Sequence, residues 1–403
     1  MTMRGTTGRL GLAVLMLGLA DAMAKSYFVL FTVGTVGATP AQAGLLATLT
    51  GAAGIVVSSW WARRYDRHPA RRYAVAACVL GAAGYALLAT TPSFAGLVAL
   101  SVTLLAAVQA AFPQLFAAAH SDASTAGRPI AVLRSVWSLA WAVGPLVGAV
   151  IVTWRGYGAL FTAAAVALLA AAAFAATTRR PTTPVESRTN AASSLVALRG
   201  RSFWFRVVGC VVLFHLAMFS GSFVLPLFIT DELAQPPSAV GVMFSVCAAV
   251  EIAAALALAR VPDRISARSL LCGGLATFVV FFVMAAAASR LAWLLVAQVP
   301  RGVAIAVVGA VGIRFFQEAF APFTARATTL FANAVTVGLL LSGVLAGVVV
   351  ENLGYRAALL ACAGIALLAT LLFASVPTSR TDSEPARGMV ADDPHARTAP
   401  PES

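Results

Sequence analysis

Long apolar runs separated by short polar segments extend through most of the chain. The hydrocarbon core of a bilayer is about 30 Å thick, so a helix that crosses it needs roughly 20 apolar residues. Cutting the chain at its polar segments gives twelve runs of about this length. They lie at approximately 10–33, 42–61, 73–91, 95–116, 130–152, 158–177, 204–229, 239–259, 269–288, 292–313, 327–350 and 357–376. The pattern predicts an all-α integral membrane protein with twelve transmembrane helices.

Most of the positive charge falls on alternate polar segments. With the N-terminus inside, the inner segments hold 22 of the 28 arginines and lysines, and the outer loops hold only Arg155, Arg290 and Arg356. Arginine and lysine accumulate in the cytoplasmic loops of membrane proteins. The bias therefore predicts a multi-pass protein of the cell (inner) membrane with both termini in the cytoplasm.

One polar motif occurs twice in the chain. The pattern A-R-x-x-D-R-x-x-A-R spans 62–71 and returns at 259–268, an offset of 197 positions. A second pair of segments, 144–148 and 343–347, begins and ends with glycine in both copies, at an offset of 199. Self-similarity at a nearly constant spacing indicates a duplicated architecture. We therefore expect two pseudo-symmetric six-helix bundles, the arrangement of the major facilitator fold, with the substrate held between them near the membrane midplane.

The repeat divides the chain into four parts. The six-helix halves are predicted at 1–177 and 203–376. The stretch between them, 178–202, is rich in Ser, Thr and Arg and is predicted to be a cytoplasmic linker. The polar segment 377–403 has few apolar residues to bury, so we expect a disordered cytoplasmic tail.

Composition narrows the class of protein further. The chain is 60% hydrophobic with a mean hydropathy of +0.89, and 11% of its residues are charged, whereas a soluble domain has about 25%. Topology explains the net charge of +13, and no basic cluster interleaved with aromatic residues points to nucleic acid. The five cysteines lie singly inside apolar runs, so they predict no metal site. No nucleophile and base converge either, and we expect neither an enzyme nor a cofactor.

Charged residues inside the apolar runs are candidates for function, because an isolated charge costs about 2.5–3.5 kcal/mol at the bilayer centre. Asp21 and Lys25 are four residues apart in the first run, hence on one helix face. Glu251 lies in the eighth run, and a carboxyl group in a low dielectric can carry a proton near neutral pH. We interpret Asp21, Glu251 and Lys25 as candidates for proton coupling, with structural ion pairing as the alternative. Arg301 lies nearer a helix end and is expected to snorkel to the interface.

Amide and aromatic side chains within the runs suit a sugar, which needs hydrogen bonds to its hydroxyls and a flat partner for its ring. Arg134 lies in the fifth run, and Asn333 occupies the equivalent position in the eleventh, 199 residues later. The candidate substrate site comprises Arg134, Gln114, Trp141, Gln317, Asn333, Gln109 and Trp137. For any one of them the alternative is hydrogen bonding or packing between helices.

The repeated loop resembles the G-x-x-x-D-R-x-G-R-R loop between the second and third helices of the major facilitator superfamily. In that family the acid and the arginines form a charge latch between the two halves. The resemblance implies gating roles for Asp66, Arg67, Arg71, Asp263 and Arg264, although both glycines of the pattern are missing from the first copy. A solvated basic loop that serves only topology is the alternative. The fifth run resembles the exporter signature of the same superfamily, which implies further gating residues, Gly144, Pro145 and Gly148.

Further segments resemble the sugar efflux transporter family of this superfamily. They include 113–117, Gly144-Pro145, Glu251-Ile252 and Phe316-Gln317, in that order, and the resemblance covers about 27–376. It implies proton-driven export of sugars or glycoside-like molecules, although no family position matches Asp21 or Lys25. We expect a monomer whose partners are a small-molecule substrate, protons and the lipid bilayer. Export of drugs or other amphipathic compounds is the alternative, and a non-transporting membrane sensor or scaffold is a remote one.

Overall fold

The first half of the chain folds into six helical segments. The computed structural model describes residues 2–68, 70–91, 93–121, 128–178, 201–260, 265–319 and 324–376. Helix α1 spans Thr2–Leu30 and continues into a π-helical turn at Phe31–Thr35, α2 spans Pro40–Arg67 and α3 spans Arg72–Leu88. Helix α4 is a rod made of Phe94–Leu100, a π-helical turn at Ser101–Leu105, and Ala106–Ser121. Helical residues Arg128–Ala176 are interrupted at Gly156, and the arms before and after it are α5 and α6.

The second half repeats this order. Helix α7 spans Arg201–Leu227 and ends in a π-helical turn at Phe228–Glu232, α8 spans Ser238–Leu258 and α9 spans Ala267–Ala287. Helix α10 consists of Leu291–Val307, a π-helical turn at Val308–Gly312, and Ile313–Ala319. Helices α11 and α12 span Thr324–Leu353 and Tyr355–Ala374.

The helices have the length and apolarity of membrane spans. Ten helical stretches in the described ranges are long and apolar enough to cross a bilayer, and one of them, the 45-residue stretch Val132–Ala176, is the pair α5 and α6. The shorter apolar helix α3 adds one more segment. The described residues thus contain as many apolar helical segments as the sequence predicts, and the all-α membrane fold class is confirmed.

The duplication is visible in the backbone. The π-helical turns that end α1 and α7 begin at Phe31 and Phe228, which are 197 residues apart. Each closes with the same hydrogen bonds, for example from the Val36 and Leu233 amides to the Phe31 and Phe228 carbonyls at 3.1 and 3.0 Å. Gly156 and Gly354, at the corners before α6 and α12, both have positive φ, 75° and 84°. A side chain would be strained there, so glycine is required at both corners.

The linker predicted at 178–202 and the tail predicted at 377–403 lie almost wholly outside the described residues. Within the described part, one apolar core is built from α1 to α6 alone. A second core is built mainly from α7 to α12, with a few residues from the first half, among them Tyr27 and Ala149.

Candidate functional site

The two halves meet at one end of the molecule, where α2 packs on α11. Backbone touches backbone there: a Cβ added to Gly44 would overlap the Gly343 carbonyl, and one added to Gly347 would overlap the Pro40 carbonyl. The Thr48 hydroxyl donates a 2.9 Å hydrogen bond to the Leu340 carbonyl of the other half. Two further hydrogen bonds join the halves here, from the Ala41 amide to Glu351 and from the Val344 amide to the Thr48 hydroxyl, and we call this region the closed end.

A second contact, between α5 and α8, relates to the first by the repeat. Gly241 lies 197 positions after Gly44, and a Cβ at Gly241 would overlap both the Pro145 carbonyl and the Tyr27 hydroxyl, as well as lying 2.8 Å from Ala149 Cβ. The buried Tyr27 side chain donates a 3.0 Å hydrogen bond to the Pro145 carbonyl. Sequence analysis missed Tyr27 because a single tyrosine in an apolar run gives no signal of its contacts.

The predicted gating motif of the fifth run is therefore part of this contact. Gly144 allows α5 to approach α1, since an added Cβ would lie 2.7 Å from Ala22 Cβ. Gly148 makes room for the Tyr27 ring, which would be 2.7 Å from an added Cβ. The two glycines hold α5 against α1, while the Pro145 carbonyl faces Gly241 of the other half.

Arg134 and Asn333 extend the same helix faces away from the closed end. Arg134 and Pro145 are eleven positions apart, about three helical turns, so both lie on one face of α5. Asn333 and Leu340 are seven positions apart, about two turns, and share the face of α11 that contacts α2. Both polar side chains are exposed. They therefore lie at equivalent depth on surfaces that are turned towards the opposite half.

Trp141 and Gln114 each bury a polar atom. Trp141 lies about two turns from Arg134 on α5, and its indole Nε1 has no hydrogen-bond partner among the described residues. The same holds for Oε1 of Gln114 on α4. Both atoms are buried, so a ligand reaches them only if the surrounding side chains rearrange.

The other predicted substrate residues have packing roles in this structure. The Trp137 ring lies 4.6 Å from the Phe112 ring, and the Gln109 side chain rests on Gly54 of α2. Gln317 Nε2 donates a 3.0 Å hydrogen bond to the Thr328 hydroxyl, which ties α10 to α11. Trp137 is also three positions from Arg134, so the two side chains are neighbours on the surface of α5.

Asp21 and Lys25 form an ion pair on α1. Lys25 Nζ lies 2.9 Å from each carboxylate oxygen of Asp21. The Asp21 side chain is buried, while 45% of the Lys25 side chain is exposed. One end of the pair is therefore accessible and the other is enclosed by helices. No group of three or more potential metal-ligating side chains occurs in the described ranges.

Arg301 corrects one expectation from the sequence. It does not snorkel: it lies ten positions into α10, far from either end of the helix, and only 3% of the residue is exposed. Its guanidinium donates to Gln298 Oε1 at 3.1 Å and to the Ser222 hydroxyl of α7 at 2.9 Å. Half-buried Glu251 on α8 interacts with it electrostatically. The interior of the second half thus contains a cation that the sequence analysis had placed at the membrane interface.

The repeated polar loop makes contacts within each half. Arg71 Nη1 donates to the Thr178 carbonyl at 2.9 Å, and Arg268 Nη2, 197 positions later, donates to the Ala374 carbonyl at 2.7 Å. Each arginine binds a free carbonyl at the C-terminal end of the sixth helix of its own half, where a cation is favourable. Arg67 is exposed. Outside the described residues lie Asp263, Arg264 and the Asp66 side chain.

Comparison with known sequences gives consistent matches over the whole membrane region. The family model described as Major Facilitator Superfamily matches residues 10–232 and 207–399. A protein of Deinococcus radiodurans assigned as a sugar efflux transporter is 36% identical over 374 residues, which cover 89% of this chain and 95% of the relative. Sugar efflux transporter A of Escherichia coli (strain K12) is 30% identical over 391 residues, which cover 93% of this chain and 97% of the relative.

Solved structures share the fold at low sequence identity. A crystal structure of the nucleoside transporter NupG has a TM-score of 0.75 at 14% identity, covering 92% of this chain and 98% of that one. A POT family transporter in complex with 5-aminolevulinic acid also has a TM-score of 0.75, at 12% identity, covering 94% and 96%. At such identities the likeness extends to the arrangement of helices alone.

Proposed function

The chain belongs to the major facilitator superfamily and, within it, to the sugar efflux transporters, and we propose that it exports sugars or sugar-like molecules in exchange for protons. It is a multi-pass membrane transporter and not an enzyme. The proposed cycle is alternating access, in which the two halves rock about a substrate site between them.

The observation that carries the proposal is the placement of Arg134 and Asn333. One lies on each half, at pseudo-symmetric positions, exposed on faces that meet the opposite half nearer the closed end. An arginine and an amide on facing surfaces can hydrogen-bond several hydroxyls of one sugar at once. Trp141, on the same face of α5 as Arg134, offers an indole N–H and a ring for stacking.

The orientation of the molecule follows from its charges. Exposed arginines at the ends of α2 and α8, among them Arg67 and Arg260, lie at the end opposite the contact between Gly44 and Gly343. By the positive-inside rule that end is cytoplasmic. We infer that the closed end is the outer one and that this state loads its cargo from the cytoplasm.

Two acidic residues are the candidates for carrying the proton. Asp21 is buried and paired with Lys25, and Glu251 is half-buried near Arg301. Ionisable groups inside membrane segments commonly form proton pathways in transporters. We place coupling at one or both of these sites.

Transport in reconstituted vesicles tests the cargo and the coupling together. Purified protein in liposomes should accumulate radiolabelled glucose or lactose when a pH gradient is imposed, and should not do so when the gradient is collapsed with an ionophore. Movement of a lipophilic dye in the same vesicles, with no movement of either sugar, would contradict sugar export.

Replacing Arg134 tests the site itself. We expect Arg134→Ala to reduce sugar transport at least tenfold, because a hydrogen bond from a charged donor contributes about 1.5–3 kcal/mol. Insertion should be unaffected, because the side chain is exposed. The matched control is Arg155→Ala, an exposed arginine at the opposite end of α5, which should transport normally. Full activity in Arg134→Ala would remove this residue from the site.

A further inference from the structure

Arg301 is held by side chains from four helices of the second half. Its own helix, α10, supplies Gln298, and α7 supplies the Ser222 hydroxyl. The rings of Phe244 on α8 and Phe281 on α9 lie 5.3 and 5.4 Å from the guanidinium carbon. Aromatic faces at this distance attract a cation. The guanidinium is therefore fixed in position, unlike an arginine at a helix end.

This fixed cation has no carboxylate in direct contact. The described residues contain three ion pairs with nitrogen–oxygen distances within 4.0 Å, and Arg301 belongs to none of them. Its polar partners are neutral acceptors. A buried charge without a paired counter-charge is unfavourable, so an anion brought closer to Arg301 would be strongly attracted.

Glu251 lies two turns after Phe244, on the face of α8 whose Phe244 ring is 5.3 Å from the Arg301 guanidinium carbon. Helices α8 and α10 are in close contact beside it: a Cβ at Gly302 would lie 2.8 Å from Val250 Cβ and 2.9 Å from the Cys247 carbonyl oxygen. Glu251 lies one turn of α8 beyond Cys247, away from the closed end, and is half-buried. The carboxyl group is therefore partly accessible, while the cation beside it is enclosed.

Arg301 also has a counterpart in the first half. Ser222, which accepts its hydrogen bond, lies 197 positions after Lys25. Each half thus has one cationic group at the same place along its first helix, Lys25 in α1 and the Arg301 guanidinium beside α7. Lys25 is paired directly with Asp21, whereas Arg301 has only the more distant Glu251.

We propose that Arg301 is the fixed counter-charge of Glu251 and that this pair couples proton binding to movement of α8, a role that rests on the proposed proton-coupled export. Ionised Glu251 draws α8 towards α10. A proton taken up by the carboxylate cancels that attraction, and its release restores it. Because α8 also carries Gly241, the change reaches the contact with α5 at the closed end. Arg301 acts through Glu251 and is a positioning residue.

The charged and titratable surroundings of the pair are few. Cys247 lies buried one turn before Glu251 on α8, and the buried His215 on α7 is hydrogen-bonded through Nδ1 to the Val211 carbonyl of its own helix. From α7 and α9 the neighbours are neutral, Ser222 and Phe281. Arg134 lies on the face of α5 turned towards α8 but makes no ion pair in the described part of the chain. On α1, Asp21 and Lys25 neutralise each other.

The test separates coupling from transport. Full-length protein in liposomes is assayed for substrate exchange at equal pH and for accumulation driven by a pH gradient. The probes are radiolabelled glucose, radiolabelled lactose and a lipophilic dye, and coupling is measured with the probe that the wild type transports. We expect Arg301→Gln and Glu251→Gln to retain exchange but lose roughly tenfold or more of the gradient-driven accumulation. Arg301→Lys keeps the charge and should retain most of it. The matched control is Arg290→Gln, an exposed arginine at the start of the same helix, which should behave as wild type.

Each result supports or overturns the proposal. Normal gradient-driven accumulation in Arg301→Gln, or equal loss in Arg301→Gln and Arg301→Lys, overturns it, since the second result indicates packing alone. If Arg301→Gln does not insert into the membrane, the double variant with Glu251→Gln and Arg301→Gln should insert, because neither buried charge remains. It should exchange substrate without responding to the pH gradient. A response like that of wild type in the double variant overturns the proposal. If wild-type transport does not respond to the pH gradient, the proton coupling of the proposed function is overturned as well. If the gradient drives transport in the wild type and equally in Arg301→Gln, only this inference is overturned.

Discussion

A hydrogen bond from a substrate hydroxyl contributes most to binding at the buried polar atoms of Trp141 and Gln114. A buried donor or acceptor without a partner costs about 1–3 kcal/mol, and within the described ranges neither Nε1 of Trp141 nor Oε1 of Gln114 has one. Under the proposed function, a sugar in the cleft supplies the missing hydrogen bonds. The free energy that the empty site loses by leaving these atoms unpaired is then regained when the sugar binds.

Replacing Trp141 by Phe isolates this effect. The substitution keeps an aromatic ring and removes the N–H, so no hydrogen bond within the described structure is lost. We expect the sugar KM to rise roughly fivefold or more, the equivalent of about 1 kcal/mol. Thermal stability should stay within about 0.5 kcal/mol of wild type. Transport kinetics in vesicles and thermal unfolding in detergent measure the two quantities.

The control for Trp141→Phe is a tryptophan outside the proposed site. Trp154 is 80% exposed, so Trp154→Phe should change neither KM nor stability. An unchanged KM in Trp141→Phe would exclude its N–H from substrate binding. A marked loss of stability would instead indicate a hydrogen bond within the protein.

At the scale of elements, the contact between α2 and α11 depends on the absence of side chains. A Cβ on Gly44 would overlap the Gly343 carbonyl, which is backbone and cannot move aside easily. We expect Gly44→Ala to destabilise the closed end by about 1–3 kcal/mol, the usual cost of overpacking, and so to slow transport. The separation of spin labels at Leu49 and Leu341, in a background without native cysteines, should increase.

Gly51 provides the matched control on the same helix. An added Cβ there would lie 3.5 Å from Leu340 Cδ2, an ordinary van der Waals distance. Gly51→Ala gains the same helix propensity as Gly44→Ala but should leave the spin-label distance unchanged. Equal behaviour of the two variants would mean that the close approach of α2 and α11 does not limit the cycle.

The sequence predicted the elements better than their contacts. Apolar length and the 197-residue offset depend only on the order of residues, and the repeated glycines at 156 and 354 do form equivalent corners. Arg301 was misplaced because the residues that enclose it, among them Ser222 on α7 and Phe244 on α8, are distant from it in the chain. Tyr27 was missed because its partners, Pro145 and Gly241, are distant in the chain. Contacts of this kind depend on how helices pack, which one sequence does not specify.

The whole molecule is joined by two pseudo-symmetric contacts at the same end. Gly44 of α2 meets α11, and Gly241, at the repeated position in α8, meets α5. Each contact is formed by one helix from each half, so neither can open without moving one half relative to the other. Two equivalent contacts on either side of the pseudo-symmetry axis allow the halves to separate as rigid bodies, as alternating access requires.

A carboxylate holds the two halves together at this end. Glu351, near the end of α11, accepts a 2.9 Å hydrogen bond through Oε2 from the Ala41 amide in the first turn of α2. Amides in the first turn have no partner within their own helix, and the helix dipole favours a negative charge there. This hydrogen bond forms only when α2 and α11 are in contact, so it stabilises the state described here and not the state in which this end is open.

Glu351→Ala should therefore shift the balance of states across the whole molecule. We expect the population with an open outer end to increase, seen as a second, longer distance between spin labels at Leu49 and Leu341. Asn352→Ala is the control, since the Asn352 amide binds the Val348 carbonyl of its own helix at 2.8 Å and does not join the halves. The fold should be unaffected in both variants, because the cores of the two halves do not include these residues. A single short distance in Glu351→Ala, identical to that in Asn352→Ala, would show that the glycine contacts close the outer end without help from Glu351.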